Sequence, residues 1–282
     1  MNNRILYIPK ERKSFKVHKN TFHLRAIIGG AIVCIIIAAG IISTRLDMLR
    51  IHNISVRGTR SLGTEDIQRQ ASTTLEGYYF AGLVPYRFLL ASPVQTISSD
   101  LKDAFPLIAD VAIKKVFPDE LDITVRERNL FGILCNDRTR GSSPDEHIDV
   151  QCAYVDTDGI AYQRSPISSG FLITKISTDA SSTPIGVLLI EQAVIERMML
   201  LKRELPAVAG IQAVSYELMS AIPHEIRVVT NEGFALIVKD NDDAGNIMRV
   251  LATVLEKEIG ARRKHLAYID LRFGNKVFYK FK

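Results

Sequence analysis

The chain has 282 residues, 47% of them hydrophobic and 24% charged, with 17 Gly, 10 Pro and 3 Cys. That composition excludes a disordered, collagenous or disulfide-scaffold protein and leaves room for two modest domains with cores of their own. The net charge of +5 is not spread over a folded surface. Residues 1–25 hold Arg4, Lys10, Arg12, Lys13, Lys16, Lys19 and Arg25 against Glu11 alone, so the remainder sums to −1. The body therefore lacks the electrostatic footprint of a nucleic-acid binder, and no nucleic-acid partner is expected.

After this basic tail (residues 1–24) comes an apolar run, with no charge from Ala26 to Ile42. Extended to residues 25–44, it reaches the ~20 residues that cross a bilayer as a helix. A cleaved signal peptide fits less well, because the run is long, no A-x-A site closes it and Arg45 follows directly. The basic flank predicts a cytoplasmic N-terminus and an exported body. Gly30, Cys34 and Ala38 recur every four residues, which is compatible with helix packing or with chance.

Residues 49–129 read as one α+β unit of order β-α-α-β-β, with two helices on one side of a sheet. Ile51, Ile54 and Val56 begin a strand ended by Gly58, and Ser61 or Thr64 is placed to cap a helix running through Leu75. A loop over Gly77 to Pro85 separates it from a helix starting near Ser92 and Pro93. That helix carries Val94, Ile97, Leu101 and Phe105, and Pro106 stops it. Strands through Val111 and Ile113 and through Leu121, Ile123 and Val125 alternate cleanly about a turn at Pro118-Asp119-Glu120.

Residues 130–282 are richer in strand. Runs at Leu130–Cys135 and Val150–Val155 flank a polar loop, Asn136 to Asp149, and Asp158-Gly159 marks a turn. A helix bearing Ile190, Val194, Arg197, Met198 and Leu201 is expected to end before Pro206. Strands follow at 211–218, 225–230 and 234–239, the last two forming a hairpin at Asn231-Glu232-Gly233. Asp243 should cap a helix with Ile247, Val250, Leu251, Val254, Leu255 and Ile259 on one face and Gly260 after its end, before a closing hairpin of 266–273 and 276–281.

No catalytic constellation assembles. The six histidines show no metal-ligand spacing, and no nucleophile elbow, phosphate loop or dinucleotide fingerprint is present, so no cofactor and no metal are expected. Asp156, Asp158 and Asp270 sit in or beside strands, and spacing alone leaves a paired acid and base open. Asp156-x-Asp158-Gly159 begins like a calcium loop without its later ligands. Cys135 and Cys152 fall on neighbouring predicted strands, where a cross-strand disulfide and two buried free thiols both fit.

A basic tail, an apolar helix and then Ile51-x-x-Ile54-x-Val56-x-Gly58 resemble the entry to the POTRA domain of FtsQ/DivIB bacterial cell-division proteins. Leu101, Pro106, Val111, Ile113, Phe117-Pro118, Leu121-x-Ile123-x-Val125 and Glu127-Arg128 continue the likeness. Asp156-x-Asp158-Gly159 resembles a turn at the start of that family's β domain, and Tyr268 to Phe273 its penultimate strand. Secretion and barrel-assembly proteins also carry POTRA units, but follow them with a membrane β-barrel that residues 130–282 do not resemble. Departures include Gly77-Tyr78-Tyr79-Phe80, which leads into a longer stretch through Leu90, and the length of the 136–149 loop.

The resemblance implies a non-catalytic, single-pass scaffold of the cytoplasmic membrane at the division septum. It implies FtsB/DivIC-like and FtsL-like partners and, through them or the POTRA domain, the septal synthase FtsW and its transpeptidase. The carried-over partner-binding positions are Arg272, Phe273, Val277, Phe278, Tyr279, Lys280 and Phe281. Independently, a terminal strand offers an unpaired edge to a partner strand. Each aromatic faces either that partner or its own core, since alternation puts neighbours on opposite sides. The alternatives are a membrane-anchored cell-wall enzyme using the three aspartates and a POTRA-bearing secretion accessory.

Overall fold

The computed structural model describes residues 21–43, 47–136, 150–166, 173–219, 222, 224–274 and 276–282. The basic tail, most of the 136–149 loop and the turn residue Asn275 lie outside them. Helix α1 (Thr21–Ser43) has 23 residues. At about 1.5 Å per residue it is long enough for a bilayer core. Its side chains are described only for residues 27–40 and 42, and these are exposed, including Ile28, Ile32 and Ile36. Among the described residues no helix is both long and apolar enough to cross a membrane.

The first folded unit is a three-stranded sheet of order β1-β5-β4, built from β1 (Asn53–Arg57), β4 (Ile108–Val116) and β5 (Glu120–Glu127). β1 runs parallel to the central β5, and β4 antiparallel. Helices α2 (Thr64–Thr74) and α3 (Val94–Ala104) lie on one face. Ile67, Ala71 and Leu75 meet Ile97 and Leu101 there, over Val111, Leu121, Ile123 and Val125. The alternation of β5 explains this: Leu121, Ile123 and Val125 are buried, while Thr124 and Arg126 are exposed.

Two local expectations are corrected here. Neither Ser61 nor Thr64 caps α2; Gly63 occupies the N-cap without a side-chain bond. Ser61 instead gives its main-chain N–H to Glu127, which accepts from the N–H groups of Arg60, Ser61 and Leu62 at 2.7, 2.9 and 3.1 Å. The 77–85 loop contains a small hairpin of β2 (Tyr78–Tyr79) and β3 (Val84–Pro85). Its tight turn comes from positive φ at Phe80, Ala81 and Gly82, which hydrophobic periodicity does not reveal.

The second unit is a nine-stranded mixed sheet of order β14-β13-β12-β11-β10-β9-β6-β7-β8. In chain order its members are β6 (Leu130–Asn136), β7 (Cys152–Asp156), β8 (Ala161–Ser165), β9 (Thr174–Thr178), β10 (Ala213–Leu218), β11 (Glu225–Thr230), β12 (Ala235–Lys239), β13 (Leu266–Phe273) and β14 (Lys276–Phe281). Helices α4 (Gln192–Ala209) and α5 (Ala244–Val254) contribute Ile195, Met198, Leu201, Ile247 and Leu251 to its main core. The Tyr216 hydroxyl, pushed up by burial, donates to the Met198 carbonyl at 3.0 Å and ties β10 to α4.

Helix α4 does not stop before Pro206 but runs through it to Ala209. A proline near a helix end sacrifices one hydrogen bond, and its fixed φ is already helical. Leu201 and Leu205, in the turn that leads into Pro206, are fully buried, and their packing offsets that loss. Gly210, at φ +63°, closes the helix by donating to the Pro206 carbonyl. Asp243 caps α5 by accepting from the Asn246 N–H, and Leu255–Ile259 continues as a π-helical turn before Gly260.

Burial alone would raise the Glu127 carboxyl, but the three main-chain donors and the Ser61 hydroxyl outweigh it and hold the group below the ordinary carboxylate range. Its stabilisation is therefore complete above about pH 4.3 and is lost as pH falls through the depressed folded value. Glu127→Gln should cost about 1–3 kcal/mol at neutral pH in chemical denaturation, shrinking towards zero as the medium is acidified below that value. A pH-independent difference would assign the cost to packing instead.

Candidate functional site

The site residues inferred from the sequence converge on one end of the large sheet. β14 is its outermost strand and pairs antiparallel with β13 alone, Ile269 opposite Tyr279 and Asp270 opposite Phe278. The other margin, β8, is partly covered, because Ala161 exchanges main-chain bonds with Gly186 and Val187. Among the described residues β14 therefore presents the long uncovered strand edge of this sheet, with unpaired main-chain groups on its outer side.

Alternation divides the β14 side chains between two faces. Val277 and Phe281 pack against the main core on the helix side, and Tyr279, with the same parity, is 37% exposed beside them. Phe281 lies 5.6 Å from the Tyr279 ring, edge-on, with the Arg262 guanidinium 4.8 Å from its centroid. Phe278 and Lys280 take the opposite, open face. There Phe278 meets Phe273 edge-on at 5.2 Å, both rings half exposed. Of the four aromatics, Phe281 belongs mostly to its own domain, and Phe273, Phe278 and Tyr279 are open to solvent.

A groove of about 520 Å³ runs between α5 and β14. Val250, Thr253 and Val254 line it from the helix and Val277 and Tyr279 from the strand, with Arg249 and Glu258 as its charged groups. An added strand on β14 would lie against an apolar trough on one side and the Phe273–Phe278 pair on the other.

Arg272 is committed to its own domain. Its Nε and Nη2 donate to Asp270 at 2.9 and 2.6 Å, and Nη1 donates to Glu225 on β11, reaching across β12. The hydrogen bond to Asp270 pushes the guanidinium pKa further up, against the opposing effect of burial. Asp270 and Arg272, two residues apart on β13, share the face on which Phe278, opposite Asp270, also lies. The parity of the strand was readable, but the Glu225 partner, 47 residues away, was not.

Of the three aspartates weighed as catalytic groups, Asp156 and Asp270 are each held by an arginine, and Asp158 is an exposed turn residue. Asp156, 1% exposed, receives Arg128 Nη1 at 2.6 Å and the main-chain N–H groups of Asp158 and Ile160 at 3.0 and 2.8 Å. Asp270 is bound by Arg272. Five strands lie between β7 and β13, which at ~4.8 Å per strand spacing separates Asp156 from Asp270 far beyond acid–base pairing range. No cluster of three His, Cys, Asp or Glu suited to a metal occurs among the described residues. Cys135 and Cys152 are opposite one another on β6 and β7 and are bonded, with S–S 2.03 Å.

Residues 49–128 match the family model of the POTRA domain, FtsQ-type. The match ends where β5 ends and leaves the large sheet outside it. No curated protein matches the chain.

Arg272→Ala would leave Asp270 and Glu225 largely buried without a cation. It is expected to lower stability by about 2–4 kcal/mol, with part regained when Glu225→Gln is added. A cost near zero in chemical denaturation would mean that solvent already screens the network.

Proposed function

We propose that the chain is an FtsQ/DivIB-like, non-catalytic scaffold of bacterial division, anchored by α1 in the cytoplasmic membrane with its N-terminus inside. In this reading the folded body is extracytoplasmic and gathers at the septum. The match of residues 49–128 to an FtsQ-type POTRA domain carries the proposal. The charge-free run from Ala26 to Ile42 behind a basic tail supports the anchor and its orientation. The proposed division is residues 1–24 for the tail, 25–44 for the span, 49–129 for the POTRA unit and 130–282 for the β domain.

Binding is assigned to the β14 edge. An FtsB/DivIC-like partner, itself joined to an FtsL-like protein, adds a strand there and sets side chains into the α5–β14 groove. The synthase FtsW and its transpeptidase are reached through these partners or through the POTRA unit. Main-chain bonding supplies affinity in this mode, and the pockets for alternate side chains supply specificity. Phe278 and Tyr279 are the anchors best placed on either face, and Arg272 holds β13 and β11 beneath them.

Tyr279→Pro removes a main-chain donor from β14 and should reduce capture of an FtsB/DivIC-like partner roughly tenfold while amide exchange in residues 49–128 stays slow. Undiminished capture would take the partner off this strand. A fluorescent protein fused to the N-terminus should form a band at midcell in dividing cells. Signal spread evenly over the membrane throughout division would return the cell-wall enzyme and secretion readings.

A further inference from the structure

The β2–β3 hairpin projects from the first unit. Pro85 is buried at its base and Tyr79 rests on Tyr86, yet Tyr78, Phe80 and Leu83 stand in solvent, 57, 78 and 49% exposed. Phe80 and Ala81 hold positive φ, 50° and 54°, at a cost of about 1–3 kcal/mol each for residues with a Cβ.

The hairpin is tied to the chain that leaves α1. Arg50 bridges antiparallel to Phe88, Ile51 donates to the Arg87 carbonyl, and Tyr86 donates to the Gly77 carbonyl. Met48 and Leu90 lie in the short 3-10 turns that flank this bridge and are each 66% exposed. A cleft of about 310 Å³ lies between the hairpin and Arg50, with Glu76, Tyr78 and Arg87 in its lining. Arg50 spends one contact on Asp47, at 3.4 Å, and its Nε is buried without a partner. Beside Leu90, the Lys115 ammonium donates to the Leu90 and Ser92 carbonyls.

Met48 follows Ser43, the last residue of α1, by five positions, a reach of at most about 18 Å. An apolar group with arginines between its members, tethered that closely to a membrane span, fits the headgroup layer of the same membrane. There an aromatic belongs at the boundary, and guanidinium groups meet phosphate.

We infer that the 77–91 segment, with Met48 and Arg50, is a membrane-interface foot. Phe80, Leu83 and Leu90 enter the outer surface of the bilayer, and Arg50 and Arg87 bind lipid phosphates, fixing the tilt of the POTRA unit on its anchor. This inference rests on the reading of α1 as a membrane span.

The chain has no tryptophan, so Phe80→Trp introduces a single reporter at an exposed position. The full chain is reconstituted in vesicles of zwitterionic and anionic phospholipid, with or without bromines placed near the headgroup. Emission should lie to the blue of that from the same reporter carrying Arg50→Glu/Arg87→Glu in the same vesicles, and fall roughly twofold with brominated lipid. Leu83→Trp gives a second reporter should Phe80→Trp fold poorly. Ile35→Trp, in α1, tests the anchor separately with bromines at the bilayer centre.

Quenching at Ile35→Trp with water-like, unquenched emission from both hairpin reporters overturns the foot and leaves the anchor standing. That result also directs the apolar hairpin to a protein partner. Failure of quenching at Ile35→Trp overturns the anchor and the foot together. Quenching at all three, weakened at the hairpin by the double charge reversal, supports the proposal.

Discussion

The two cores of this protein meet at one guanidinium. Arg128 follows the last residue of β5, and its Nε donates to the Pro106 carbonyl at the end of α3, inside the first unit. Its Nη1 reaches Asp156, at the end of β7 in the second unit, at 2.6 Å, with both side chains nearly out of solvent. Asp156 in turn organises the Asp158-Gly159 turn through two main-chain donors. A buried pair of this kind adds little net stability compared with apolar packing, but it is directional and costly to break. It ties the end of β5 to the end of β7 at the point where the chain passes into β6.

The Asp156 turn depends on a second constraint. Gly159 holds φ +81°, and a Cβ there would stand 1.8 Å from the Ile190 carbonyl oxygen. Glycine lets the turn pass beneath the segment that enters α4, so Leu189 and Ile190 can both donate to the Gly159 carbonyl. One short motif thereby fixes the start of the β7–β8 hairpin, the entry to α4 and the acceptor for Arg128. That density of roles explains why it reads clearly in the sequence although it is not a catalytic or calcium-binding loop.

What the sequence made legible follows from periodicity. The β-α-α-β-β order, the α5 cap at Asp243 and the closing hairpin were all visible, because their apolar spacing, caps and turn residues agree. β8 and β9 were not. Thr174–Thr178 carries one fully buried aliphatic, Ile176, yet pairs parallel with both β6 and β10, where interior strands are usually continuous apolar runs. Its place comes from long-range main-chain pairing, which leaves no local trace. At the candidate site the edge strand was legible from its position and alternation. The Arg272–Glu225 pair and the α5–β14 groove depend on tertiary registry that spacing within one strand cannot encode.

An open edge is hazardous because any strand can add to it, its own copies included. β14 and its end carry Lys276, Lys280 and Lys282, and β13 carries no acidic side chain beyond Asp270, already bound by Arg272. Two copies meeting edge to edge would bring these lysines together without compensating carboxylates, a recognised defence of uncovered strands. The same charges favour a strand of opposite character, and the aromatic pair on one face and the apolar trough on the other restrict it further. In the proposed binding mode the lysines thus disfavour a second copy and suit a strand that carries acidic residues with apolar ones between them. Selectivity would then reside in side chains, while the main chain would supply the affinity that any strand could share.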